Sequence, residues 1–200
     1  MTGFHLLTYA MVGLGLSASC GFRVFVPMLF MSCAVHADIL TLSDGWAWIG
    51  SWPAIAILGC ATLIETVGFF VPWFDHLLDV AALPAAVVAG ILATTACLSE
   101  MHPALAWSVG IIAGGSAAAM VQSGTMLARG ASTVTTGGLG NFVVSSAELA
   151  ASVVMSFLAI AVPVVAAVCF FVLAGVTIML FVRWRKKRAA RVEQSTGFVD

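Results

Sequence analysis

Long apolar runs divided by short polar breaks set the pattern of this chain. Residues 50–70, 77–98, 104–128 and 164–182 each reach the roughly 20 apolar residues that a bilayer-crossing helix needs, and 141–160 nearly does. Residues 4–37 are different. As one helix they would be roughly 50 Å long, too long for a single span, and Cys20-Gly21-Phe22-Arg23 and Pro27 interrupt them. This stretch predicts either a long broken helix or two short helices packed as a hairpin. Irregular backbone at membrane depth has to be buried in protein or line a cavity. The expected fold is all-α, a polytopic transmembrane helix bundle of about five to seven helices. It has a broken or hairpin first helix region and a Gly-rich interrupted segment at 132–141.

Composition agrees with the pattern. Hydrophobic residues make up 62% of the 200 and charged residues 8%, where a soluble domain carries roughly 25% charge. Mean hydropathy is +1.10. Such a chain lacks the polar surface to cover a water-facing core, so membrane lipid is its expected solvent. Residues 1–5 hold no Lys or Arg, so the first apolar stretch reads as retained rather than as a cleavable signal.

Charge then orients the bundle. Six of the eight basic residues lie between Arg183 and Arg191, and positive residues beside span ends stay cytoplasmic. A single transmembrane domain over 1–182 and a basic cytoplasmic tail over 183–200, disordered beyond Thr196, are therefore expected, in a bacterial inner membrane. Counting back puts a 129–141 loop with Arg129 inside and the 38–50 loop outside. Two crossings within 4–37 would place Arg23 inside and the N-terminus outside, which also satisfies Arg23, and one crossing would place the N-terminus inside. Trp46, Trp48, Trp52, Trp73, Trp107 and Trp184 fall near proposed span ends, as an interfacial belt requires. Gly110, Gly114 and Ala118 share one helical face, widened by Gly115. Such a face serves close packing within the chain or a contact between copies in a homo-oligomer.

Three polar clusters interrupt the apolar runs, and polar groups inside spans need partners. The first holds Ser17, Ser19, Arg23 and Pro27. Arg23 is either an interface anchor or an anion or counter-ion site, and is expected to meet Glu65 or Glu148 within the membrane. The second runs from Glu65 to Asp79. Pro72 breaks the preceding helix, Asp75 is placed to cap the next, and Asp75 and Asp79 are one turn apart around His76. The third is Ser132-Thr-Val-Thr-Thr-Gly-Gly-Leu-Gly-Asn141, with Glu148 two turns beyond. Its hydroxyls (Thr135 and Thr136 among them), the glycines Gly137 and Gly138, and Asn141 as a helix cap would supply ligands to an ion or anion. A plain flexible connection is the alternative.

Other chemistry finds no pattern. The five cysteines are scattered through apolar stretches with no C-x-x-C pair, and the four histidines are dispersed, so no metal site or cofactor is expected. No nucleotide-binding loop or enzyme motif is present. The near-neutral charge gives no basic field for nucleic acid.

The same clusters carry a resemblance. The order G-L-S-A-S-x-G-F-R-x-F-x-P, then G-S-W-P-A-x-A-x-L-G with P-W-x-D-x-L-L-D, then S-T-x-T-T-G-G-L-G-N resembles the bacterial membrane proteins grouped as domain of unknown function 4126, over residues 10–165. The resemblance implies a multi-pass helical protein and no assigned substrate. This chain departs from that pattern at Phe69 and Phe70, where an Asp-Lys pair often stands. It departs again at Phe142, where a Pro often follows the G-N, and at Leu149, where a second acid often follows Glu148. Arg23, Glu65, Asp75, Asp79 and Glu148 are the charges that remain. The function expected from the cost of intramembrane charge is a transporter or channel-like protein for an ion or small polar solute. A non-transporting scaffold or assembly subunit is the alternative.

Overall fold

The computed structural model describes residues 3–69 and 72–196, without the side chains of 3–4, 72–80, 180 and 184–196. Eight α-helices follow one another: α1 Gly3–Cys20, α2 Phe25–His36, α3 Trp52–Gly68, α4 Pro72–Cys97, α5 Pro103–Val109, α6 Ser116–Thr136, α7 Asn141–Ala161 and α8 Pro163–Thr196. A short 3-10 helix, Asp44–Gly50, precedes α3, and a π-helical turn, Gly110–Gly115, joins α5 to α6. There is no strand among the described residues. Pro103–Thr136, Asn141–Ala161 and Pro163–Arg183 are each long and apolar enough to cross a membrane. The 3-10 helix and α3 form a further pair, bent by 67°.

The first apolar stretch is a hairpin. Gly13 on α1 lies against Thr94 and Cys97 near the end of α4. After α2, the Ser43 N–H donates to the Ala96 carbonyl at 3.1 Å. The chain leaving α2 has therefore returned to the level of the first half of α1, and Val12, Leu16, Met31 and Ala34 share one core. Of the two forms expected for 4–37, this is the packed pair. It turns at Gly21–Val24, where the backbone leaves the helix. Gly21 is required there: an added Cβ would sit 2.6 Å from the Ala118 carbonyl oxygen on α6.

Small residues and hydroxyls join α1, α4 and the π turn. Ser17 Oγ donates to the Gly90 carbonyl at 2.6 Å, and Thr94 Oγ1 donates to the Gly13 carbonyl at 3.2 Å. A Cβ on Gly90 would come within 2.7 Å of Ala118 Cβ and 2.8 Å of the Gly114 carbonyl oxygen. The small-residue face of Gly110, Gly114 and Ala118 is buried against α4. Packing within the chain is thus the role this face fills here.

One boundary differs from expectation. The loop expected at 129–141 is shorter, because α6 continues through Thr136 and only Gly137–Gly140 turn. The tail expected from 183 is helical backbone as far as Thr196, continuous with α8, and the disorder expected beyond Thr196 lies outside the described residues. The tryptophans Trp48, Trp52 and Trp107 are exposed, and the Trp46 ring lies 6.4 Å from that of Trp107. These four gather at the end of the bundle that holds the 38–50 loop. The side chains of Trp73 and Trp184 lie outside the described residues.

Candidate functional site

The α1–α2 turn is where the polar groups converge. Ending α1 and starting α2 inside the bundle leaves helix-terminal carbonyls and N–H groups that water cannot reach. Three of them are answered by other helices, and the Gly21, Phe22 and Arg23 N–H groups donate back to the end of α1. Glu65, one turn from the end of α3, accepts from Val24 N–H through Oε1 at 2.7 Å and from Phe25 N–H through Oε2 at 3.0 Å. Its carboxylate thus caps α2 in trans, and a negative charge at a helix N-terminus is favoured by the helix dipole. On the other side of the turn, Ser152 Oγ on α7 donates to the Ser19 carbonyl at 3.3 Å.

Arg23, between the two helices, is 1% exposed. Its Nη2 donates to the Ser145 carbonyl at 3.0 Å and lies 3.8 Å from Glu148 Oε2. Arg129 on α6 grips the same Glu148 with two bonds, Nε to Oε1 at 3.0 Å and Nη2 to Oε2. Its Nη2 also donates to Ser145 Oγ at 3.0 Å. Glu148 therefore joins two guanidinium groups. The Phe69 ring lies under both, 3.7 Å from Arg23 Cζ and 4.4 Å from Arg129 Cζ. A ring face attracts desolvated cations by about 1–2 kcal/mol. An unpaired charge at this depth would cost several kcal/mol, so the pairing is what allows these residues to be buried.

A cavity of about 270 Å3 reaches this cluster. Arg23, Glu65, Gln122, Arg129 and Glu148 stand at its polar end. Its walls are apolar, with Phe22, Phe25, Ile64, Phe69 and Ala85 among them. Donors and a carboxylate beside a void in a low-dielectric surround can hold a polar or charged group tightly. Among the described residues no three His, Cys, Asp or Glu side chains converge as a metal site would require.

The expected site residues separate into groups. Arg23, Glu65 and Glu148 come together around the cavity. Arg23 meets Glu148, and the Glu65 oxygens accept from the α2 backbone. The side chains of Asp75 and Asp79 lie outside the described residues. Because α4 begins at Pro72, Asp75 falls within its first turn rather than before it. Thr135, Thr136 and Gly137 are exposed, Gly138 is half-buried, and none of the four lines the cavity. Their hydroxyls return to their own helix: Thr135 Oγ1 donates to the Ala131 carbonyl at 2.9 Å and Thr136 Oγ1 to the Ser132 carbonyl at 2.8 Å. Asn141 is the first residue of α7 rather than its cap, and its Nδ2 donates to Thr133 Oγ1 at 3.2 Å.

Arg129, Gln122, Phe69 and Ser145 were not singled out from the sequence as site residues. A signal for Arg129 exists in hindsight. Once Gly137–Gly140 is a tight turn between antiparallel helices, Arg129 and Glu148 are equidistant from its centre and must face each other. Reading Arg129 as a loop residue hid this.

A model of the family described as a domain of unknown function, number 4126, matches residues 10–183. No curated protein and no solved structure matches the chain.

Proposed function

The chain belongs to that family of unknown function, and from this premise we propose that it is a transporter or channel-like protein for an ion or small polar solute. One observation carries the reading: a cavity reaches four charged side chains that sit at the break of a helix hairpin. A buried charge cluster with only a structural role is best sealed, since any void beside it forfeits contacts. Here the void is retained, and Gln122 adds a polar group to it. We place the protein in a bacterial inner membrane with its C-terminus cytoplasmic. The basic run Arg183–Arg191 supports that orientation. On this reading no bond is made or broken by the protein.

The test is accessibility of single cysteines at Ala82 and Ala85, which line the cavity, in a background without the native cysteines. Small charged thiol reagents should label both positions, and a transported solute should protect them. Absence of labelling by any water-soluble reagent would remove the reading. One feature favours a second reading, a non-transporting scaffold subunit: Glu148 is already held by both arginines, as a purely structural ion pair would be. That reading expects Ala82 and Ala85 to stay unlabelled.

A further inference from the structure

The cavity has a direction. Three residues of its wall are also on the outer surface of the bundle: Ile64 on α3 is 62% exposed, Phe25 at the start of α2 is 38% exposed, and Ala81 on α4 is exposed. They come from three different elements, and among the described residues the cavity wall is exposed between them. Around it, Leu63 and Val67 on α3 are exposed apolar side chains, the surface that a lipid covers. The opening therefore faces the acyl region of a bilayer. The polar end lies deeper, toward Arg23 and Arg129. Glu148 is seven residues into α7, about 10 Å from the α6–α7 turn, so the polar end sits near one membrane interface.

We infer that the species taken by this cavity is an amphiphile with an acidic head, carboxylate or phosphate, which enters sideways from the lipid between α3 and α4. The inference rests on reading the cavity as a binding site and names its ligand class. Size supports it: about 270 Å3 accommodates a head group, while hydrocarbon tails remain in the bilayer through the opening. The guanidinium groups supply the contact for the head. The Glu65 oxygens are engaged by Val24 and Phe25 N–H. Glu148 is the carboxylate that bridges the two guanidinium groups, and an incoming acidic head reproduces that chemistry. Head and Glu148 thus compete for Arg23 and Arg129, and planar guanidinium groups suit either acid through paired N–H···O bonds. Phe69, under both guanidinium groups, keeps them facing the void when Glu148 is displaced.

The experiment compares three probes on the unaltered, purified protein in uncharged detergent, by native mass spectrometry and melting temperature. Mono-oleoyl phosphatidic acid has tail and acidic head, monoolein has the tail alone, and inorganic phosphate has the acid alone. The expected result is binding of mono-oleoyl phosphatidic acid at least about tenfold tighter than either other probe, as a charge-assisted head contact requires. Glu148→Gln should tighten it further by about tenfold, because the competing charge is gone. Ala85→Leu, which fills the cavity, should abolish it. Equal binding of inorganic phosphate would overturn lateral entry while leaving the cavity a site for a free anion. Equal binding of monoolein would overturn the acidic head. No binding of any probe, with Ala82 and Ala85 still labelled from water, would overturn the amphiphile and spare the transport reading. Loss of both would overturn the two together. The probe comparison uses no variant, so it decides even if Glu148→Gln or Ala85→Leu fails to fold.

Discussion

Two helix breaks in this chain look alike on paper and behave oppositely. Gly21–Val24, between α1 and α2, and Gly137–Gly140, between α6 and α7, both join apolar helices through glycine and carry polar neighbours. At the first, the backbone ends are buried and answered by other helices: Glu65 from α3, Ser152 from α7, with Arg23 reaching Ser145 and Glu148. At the second, the hydrogen bonds stay within the two helices that it joins. Gly140 N–H donates to Thr136 Oγ1 at 2.8 Å, and the threonines bond their own helix. The first break draws side chains from distant elements together. The second keeps its bonds beside the turn.

The largest expected effect tests the first break. Glu148→Ala leaves two guanidinium groups in the bundle without their shared carboxylate, and should cost about 3–5 kcal/mol. A melting temperature within a degree of the parent would break the comparison. Glu65→Gln should cost about 1.5–3 kcal/mol, since one oxygen that accepts from α2 becomes an NH2 that cannot. The loss should appear as faster amide exchange at Val24 and Phe25, ahead of α4 or α7. Gly21→Ala should cost about 1–3 kcal/mol, because the new methyl overlaps the Ala118 carbonyl and α1 has to move off α6.

The second break should respond through backbone conformation alone. Gly137 has φ of +63° and an open surround, so Gly137→Ala should cost about 1–2 kcal/mol, from the left-handed conformation and nothing else. Gly137→Asn, which tolerates that region, should recover most of it. The smallest effect belongs to Thr135→Ala and Thr136→Ala, expected within about 0.5 kcal/mol of the parent. A loss of solute uptake or lipid binding in these two, without loss of stability, would put ligand contact back at the α6–α7 turn and reverse the comparison.

Much of this was legible beforehand. Helix positions followed from the length of apolar runs, because a bilayer admits few alternatives to helices. Arg23, Glu65 and Glu148 stood out because charge in such runs has to be accounted for. What escaped was direction. A glycine-rich segment with four hydroxyls reads as a ligand loop, but Ser, Thr and Gly also serve a plain helix end, and sequence does not separate the two. Arg129 escaped for the opposite reason. It is basic and close to a turn, which fits a topology signal as well as a buried ion pair.

The sequence by itself determined a helical membrane chain, its breaks, and which charges needed partners. Those are consequences of local composition: apolar length, glycine and proline, and the cost of burying a charge. Only the tertiary structure decided which partners they found. Glu65 and the α2 N–H groups are some 40 residues apart, and Arg23 and Glu148 about three times that. At such separations nothing local prefers one carboxylate over another. The choice follows from which helices pack side by side, and that is set by small residues such as Gly21, Gly90 and Gly114 that let backbones come close.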